Sequence, residues 1–205
     1  MVVGHLGIAY IGKATRPTLP LALLAVAAYG PDLFRVAASP LPIAPRIAEI
    51  ASHSIPAVLV IGAVIALIAA RRVGGIAGGI TVIAVCFLHW PADVFTGCKP
   101  VFGGETWLGF IRYRHPAVDV PVELGLLIAG WLACRKTSEA RQKRFAYSIW
   151  ILVAAAALQI AFLASMYADA EFFVGRREWT WHPREGIFAL RRVSDPETLV
   201  CRPPA

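Results

Sequence analysis

The sequence predicts an all-α integral membrane protein with about five transmembrane helices, a short N-terminal helix and a small extramembrane C-terminal tail. Two observations lead to this fold class. Hydrophobic residues make up 58% of the 205 residues, charged residues make up only 16%, and the mean hydropathy is +0.63. A soluble domain is usually about one quarter charged, so this composition indicates a membrane protein. Long apolar segments between proline, glycine or charged residues are the second observation.

The first element is the apolar stretch Met1 to Gly12, which is shorter than the roughly 20 residues that a span needs. No basic residue precedes it and no clean small-residue cleavage site follows it, so we do not interpret it as a cleaved signal peptide. We expect an interfacial helix, a half-inserted helix or the beginning of a broken one.

Five later segments are long and apolar enough to be predicted as membrane spans. In chain order they are Leu19 to Ala38, Ile55 to Ala70, Ile76 to Thr96, Val118 to Cys134 and Phe145 to Ala168. Residues 1–168 therefore form a predicted membrane domain. Residues 169–205 form a polar tail, whose alternating apolar and polar residues predict one or two short strands or an irregular cap.

The loops on one side of these spans hold nine basic residues and a single acid, Glu139, whereas the opposite short loops are almost neutral. The positive-inside rule places the basic loops in the cytoplasm of a bacterial-type inner membrane, and the tail outside. The same rule accounts for the net charge of +7 without a nucleic acid partner. Cys98 and Cys201 are also predicted outside, where a disulfide is chemically allowed.

His89 and Asp93 stand four residues apart at the end of the third predicted span, so they share one helical face. A histidine and a carboxylate at this spacing form half of a metal site or an acid–base site. Ionisable groups at membrane depth are costly and usually functional. The alternative is a histidine bonded to a neighbouring helix and an aspartate that caps a loop. Pro91 removes one helical hydrogen bond between them and predicts a bend or an opening.

Asp119 and Glu123 repeat the spacing of four on the fourth predicted span. Two such carboxylates repel each other unless a cation lies between them, and either a metal ion or Arg112, Arg114 or Lys99 could supply that cation. The alternative is a pair of acids that stabilises the positive end of a helix dipole.

Asp32 follows Pro31, as in many ordinary turns, and His53 follows Glu49 by four residues. Each signal is weak by itself. In the predicted topology, however, six candidate side chains lie on the outer side of the membrane: Asp32, His53, His89, Asp93, Asp119 and Glu123. This convergence predicts a shared site.

These residues also resemble a known family. The chain contains Gly30-Pro31-Asp32, Ser52-His53-Ser54 and His89-x-x-x-Asp93-x-x-Thr96-Gly97, with His5 near the start and Pro100 after the last motif. In order and spacing, the first two thirds of the chain is similar to the YdjM-type inner-membrane metal-dependent hydrolases. The resemblance implies a helical membrane protein with a metal site whose ligands are His5, Asp32, His53, His89 and Asp93.

The leading hypothesis is a membrane-embedded, metal-dependent hydrolase that acts on an ester or phosphoester, such as a lipid, at the outer face. Zinc is the expected ion because it accepts mixed histidine and carboxylate ligands, and it would activate water. Glu123 or Asp119 is the predicted general base. Arg112 or Arg114 is the predicted clamp for an anionic headgroup.

Two other functions remain open at this point. The chain could be a non-catalytic subunit that docks on a larger membrane complex through residues 169–205. Alternatively, His53 and His89 could be axial ligands of a haem or chlorin. No nucleophilic Ser/His/Asp arrangement, phosphate-binding loop or dinucleotide turn is apparent in the sequence.

Overall fold

The computed structural model describes residues 3–38, 40–103, 106–109, 116–137, 148–172, 177–182 and 187–192. Within these residues the chain forms eight helices and two antiparallel strand pairs. The helices are α1 (Gly4–Thr15), α2 (Leu21–Ala28), α3 (Gly30–Ala38), α4 (Pro45–His53), α5 (Ile55–Ile68), α6 (Ile76–Thr96), α7 (Pro116–Arg135) and α8 (Ile149–Phe172). The strands are β1 (Lys99–Pro100) with β2 (Trp107–Leu108), and β3 (Arg177–His182) with β4 (Ile187–Arg192).

The mainly helical fold class is confirmed, but the five predicted spans are not. Among the described residues, α6 is the one helix that is long and apolar enough to cross a membrane alone, and the bent pairs α2–α3 and α4–α5 raise the number to at most three. The first predicted span breaks at Tyr29. The second is represented by α5, whose 14 residues reach about 21 Å. Over their described residues, α7 and α8 do not meet the same criterion.

Both bent pairs change direction beside a candidate ligand. α2 and α3 meet at 60° just before Pro31 and Asp32, and α4 and α5 meet at 57° just after His53. Ser54 caps α5, because its hydroxyl accepts a backbone N–H of the first turn at 3.3 Å. Pro56 stands in that turn, where the N–H that it lacks would have no helical partner. The two bends therefore place Asp32 and His53 near helix ends.

α6 packs against α5, α2 and α1 and forms the centre of the bundle. The sequence predicts a bend or an opening at Pro91, but α6 does not open there and remains one helix from Ile76 to Thr96. Its buried face carries His89 and Asp93. Cys86 lies deeper on α6 and packs there, with its thiol donating to the carbonyl of Val58 at 3.2 Å.

α1 and α7 cross at two glycines. A side chain on Gly130 would collide with the backbone of Gly7, and a side chain on Gly7 would collide with the backbone of Leu126. Small residues therefore let the two backbones touch. At the other end of α1, the ammonium group of Lys13 donates to two carbonyl groups of the turn toward α2, each at 2.6 Å. These bonds fix the turn between α1 and α2.

In the chain, β1 and β2 follow α6, and β3 and β4 follow α8. The indole N–H of Trp90 on α6 donates to the carbonyl of Pro100 on β1 at 2.9 Å. This bond holds Lys99, the other residue of β1, beside the end of α6. β3 and β4 are the short strands that the alternation in residues 169–205 predicts, and they pair from Arg177 with Arg192 to His182 with Ile187.

Candidate metal centre

Four side chains from three parts of the bundle meet at one point. Asp32 begins α3, His53 ends α4, and His89 and Asp93 share one face of α6. One potential ligand atom of each side chain lies within 4.8 Å of the corresponding atom of every other. This cluster could hold a metal ion, as the sequence predicts, and we call it the metal centre.

The distances within the metal centre are short. His53 Nε2 lies 3.2 Å from Asp32 Oδ1 and 3.6 Å from Asp93 Oδ2. His89 Nε2 lies 3.2 Å from Asp93 Oδ2 and 3.9 Å from Asp32 Oδ1. Both imidazoles therefore direct the same nitrogen at the same two carboxylates.

The other nitrogen of each imidazole is held from outside the centre. His89 Nδ1 lies 2.8 Å from the carbonyl oxygen of Ala28, so it must donate its hydrogen there. His53 Nδ1 lies 2.6 Å from the hydroxyl oxygen of Ser52, and that hydroxyl donates to the carbonyl of Ala48 at 2.7 Å. His53 Nδ1 is therefore also a donor. In the neutral form each histidine then presents the lone pair of Nε2 to the centre.

The metal centre is open at one edge. The side chains of His53 and His89 are fully buried, and the side chain of Asp93 is 5% exposed. The side chain of Asp32 is 42% exposed. An ion held here would contact three buried groups and would be reached from solvent or lipid past Asp32.

A chain of ion pairs surrounds the buried side of the centre. Lys99 Nζ lies 3.0 Å from Asp93 Oδ2 and 2.8 Å from Glu49 Oε1. Glu49 Oε2 in turn lies 2.6 Å from Arg35 Nη1. Burial opposes the charged form of Lys99, but Asp93 and Glu49 outweigh that effect, so the pKa of Lys99 lies above its ordinary value. From the sequence, Lys99 is a candidate partner only for Asp119 and Glu123, not for Asp93 and Glu49.

His5 lies directly beside the metal centre. Its ring stacks on the ring of His89 with centroids 4.0 Å apart, and its Nε2 lies 3.5 Å from Asp93 Oδ1. It is fully buried, and within the described part of the chain neither ring nitrogen has a hydrogen bond. α1 thus brings His5 to the centre, although His5 is not one of the four residues whose ligand atoms converge.

Asp119 and Glu123 are buried and bind other groups. Glu123 Oε2 accepts the backbone N–H groups of Val3 and Gly4 at 2.8 and 3.1 Å, at the N-terminus of α1. Asp119 Oδ2 accepts an N–H of the Gln159 side chain on α8 at 3.2 Å. The predicted role of either residue as general base stays a prediction.

The predicted clamp residues Arg112 and Arg114 lie outside the described residues. Cys98 is disulfide-bonded, whereas Cys86 and Cys134 have free thiols. Cys201, the predicted partner of Cys98, also lies outside the described residues.

Searches among protein-family models, curated proteins and solved structures found no match to this chain. The assignment of a function therefore depends on the chemistry of the metal centre.

Proposed function

We propose that the protein is a membrane-embedded, metal-dependent hydrolase that cleaves an ester or phosphoester at the outer face of the membrane. The observation that carries this proposal is the direction of the two histidines. Because both Nδ1 atoms donate outward, two Nε2 lone pairs and two carboxylates converge within 4.8 Å. Four acceptors at this distance repel one another unless protons or a cation lie between them.

The charges around the centre favour a divalent cation. Three carboxylates, those of Asp32, Asp93 and Glu49, face two basic side chains, Arg35 and Lys99. With neutral histidines, this described set carries one net negative charge. A divalent ion would change it to one net positive charge, which suits an anionic substrate such as a phosphoester.

Zinc is the ion that this donor set favours, because two histidines and two carboxylates are common zinc ligands. A divalent ion bound here would polarise the substrate oxygen and lower the pKa of a water molecule. The half-exposed Asp32 lies where a substrate would enter. Arg35 follows Asp32 by one turn of α3, and its side chain is 40% exposed, so it can pair with an anionic group at that edge. Glu123 and Asp119 remain the candidate general bases, although Glu123 Oε2 accepts the backbone N–H groups of Val3 and Gly4.

The proposal is tested with purified protein, loaded with zinc or stripped with a chelator, on para-nitrophenyl butyrate and on mono- and bis-para-nitrophenyl phosphate. We expect turnover of at least one probe that is lost on chelation, restored by the ion and absent in Asp93→Asn. Turnover that persists without metal would reject the dependence of the reaction on the metal centre, and no turnover of any probe by fully loaded protein would reject hydrolysis.

The two other functions make different predictions. A haem between His53 and His89 would give a strong visible absorption band, but the two carboxylates that share the space between these rings favour a single ion. A docking subunit would copurify with a stoichiometric partner through residues 169–205 and would contain no metal.

A further inference from the structure

The depth of the metal centre follows from the length of α6. Its 21 residues extend about 31 Å, close to the roughly 30 Å of a bilayer hydrocarbon core. Asp93 and His89 precede the last residue, Thr96, by three and seven positions, so they lie about 5 and 10 Å from the end of the helix. If α6 crosses the bilayer, the centre lies about 5–10 Å inside the boundary between headgroups and acyl chains.

α3 and α4 are too short and too inclined to cross the bilayer at this level. Each has 9 residues and extends about 13 Å. Their bends of 60° and 57° from α2 and α5 leave a rise of only about 7 Å along the direction of those helices. The two helices pack against each other and supply Asp32 and His53. We call them the α3–α4 pair.

The α3–α4 pair is amphipathic. Its inner face carries the ligands and the ion pair between Arg35 and Glu49. Its outer face carries exposed large apolar side chains, Leu33, Phe34, Val36 and Ile47, together with the exposed Arg46. α5 follows α4 directly and continues with exposed apolar side chains: Leu59, Val60, Val64, Leu67 and Ile68. The apolar surface of the pair is therefore joined in the chain to the surface of a membrane helix.

We propose that the outer face of the α3–α4 pair lies in the headgroup–acyl boundary of the bilayer, and that the substrate is a bilayer lipid whose anionic headgroup reaches the metal centre laterally past Asp32. Helices with one polar and one apolar face lie about 5–10 Å into this boundary, which is the depth that α6 gives for the centre. The choice of substrate rests on the proposed hydrolase function, whereas the position of the pair does not.

The position is tested by spin labels in vesicles of phosphatidylcholine and phosphatidylglycerol. The test positions are Phe34→Cys and Ile47→Cys. Val60→Cys on the exposed face of α5 is the hydrocarbon control, and Arg72→Cys in the exposed turn before α6 is the aqueous control. Cys86 and Cys134 are buried, so background labelling is measured on the unsubstituted chain.

We expect collisions with oxygen and with a water-soluble nickel chelate to place both test labels between the controls, about 5–10 Å inside the headgroup–acyl boundary. Test labels that are as accessible to the chelate as Arg72→Cys would overturn the proposal. Labels shielded from both reagents would show that a protein covers this face, which also overturns it.

The substrate is tested with Phe34→Ser combined with Ile47→Ser. Turnover of phosphatidic acid in vesicles should fall about tenfold, the equivalent of about 1.4 kcal/mol of apolar contact, while turnover of soluble para-nitrophenyl phosphate stays unchanged. Equal losses on both substrates would overturn lateral lipid access. No turnover of either substrate by fully loaded wild-type protein would reject the proposed hydrolase function and the lipid substrate, but it leaves the label result standing.

Discussion

We call Asp119 and Glu123 on α7, with Gln159 on α8, the α7 cluster. The metal centre and the α7 cluster are both buried and both contain carboxylates, but these carboxylates contact different partners. In the α7 cluster, backbone N–H groups and an amide donate to the carboxylates at 2.8 to 3.2 Å. In the metal centre, carboxylates and imidazole lone pairs converge within 4.8 Å. The described donors of the α7 cluster are neutral groups, whereas in the metal centre Lys99 pairs with Asp93 and the other converging ligand atoms require protons or a further cation between them.

The comparison also shows that a spacing of four residues does not by itself determine what a pair of polar side chains binds. His89 and Asp93 have the same spacing as Asp119 and Glu123, and both pairs lie on long helices. The difference arises from the elements that each pair faces. α6 faces the ends of α3 and α4, which add Asp32 and His53, whereas Glu123 faces the N-terminus of α1.

The largest expected effect is the loss of metal affinity in Asp93→Asn. The asparagine amide lacks the negative charge that faces His53, His89 and Lys99. The dissociation constant for zinc should therefore rise more than roughly 100-fold, which exceeds the usual effect of replacing a residue that only hydrogen-bonds to a metal ligand. Asp119→Asn is the matched control and should keep its metal. Competition with a fluorescent chelator measures both. Equal losses in the two variants would remove the distinction between the clusters.

The next effect should appear in stability rather than in metal binding. Glu123→Ala leaves the N–H groups of Val3 and Gly4 without their described acceptor, at a cost of about 2–3 kcal/mol. Glu123→Gln keeps an acceptor oxygen and should cost about 1 kcal/mol. Thermal unfolding in detergent, with metal-stripped samples, compares the two. A Glu123→Ala variant as stable as wild type would show that this carboxylate does not secure α1.

The smallest effect concerns the orientation of His53. Ser52→Ala removes the hydroxyl that accepts from Nδ1 at 2.6 Å, so the ring can turn and the zinc affinity should fall about tenfold. Ser54→Ala, which removes the cap of α5, serves as a control on the same segment and should mainly affect stability. An unchanged zinc affinity in Ser52→Ala would mean that the tautomer of His53 is set by another group.

Much of this structure could be predicted from the sequence, for local reasons. Apolar composition indicates helices in a membrane, and the bounds predicted for α6 agree with the structure because glycines flank that segment. The four ligands were predicted from short motifs and from their common side of the membrane. The position of His5 depends on the packing of α1 against α7, α2 and α6, which the sequence does not predict.

What could not be predicted depends on contacts between distant segments. Lys99 has charged candidates at several distances along the chain, and only the hairpin after α6 brings it to Glu49 and Asp93. Hydropathy from Leu19 to Ala38 predicts one span and does not show the break at Tyr29, where Pro31 lacks the N–H that a continuous helix would bond to Ala27. The bends of 60° between α2 and α3 and of 57° between α4 and α5 are stabilised by packing of α3 against α4, α5 and α6.

We propose that one divalent ion is held by Asp32, His53, His89 and Asp93. The most direct measurement is the elemental content of protein purified without chelators and then dialysed against zinc, for wild type and for His89→Ala with Asp93→Ala. We predict one ion per wild-type chain and none in the double variant. A wild-type protein that retains no ion after loading, or a double variant that retains one, would show that these four residues do not form the metal site.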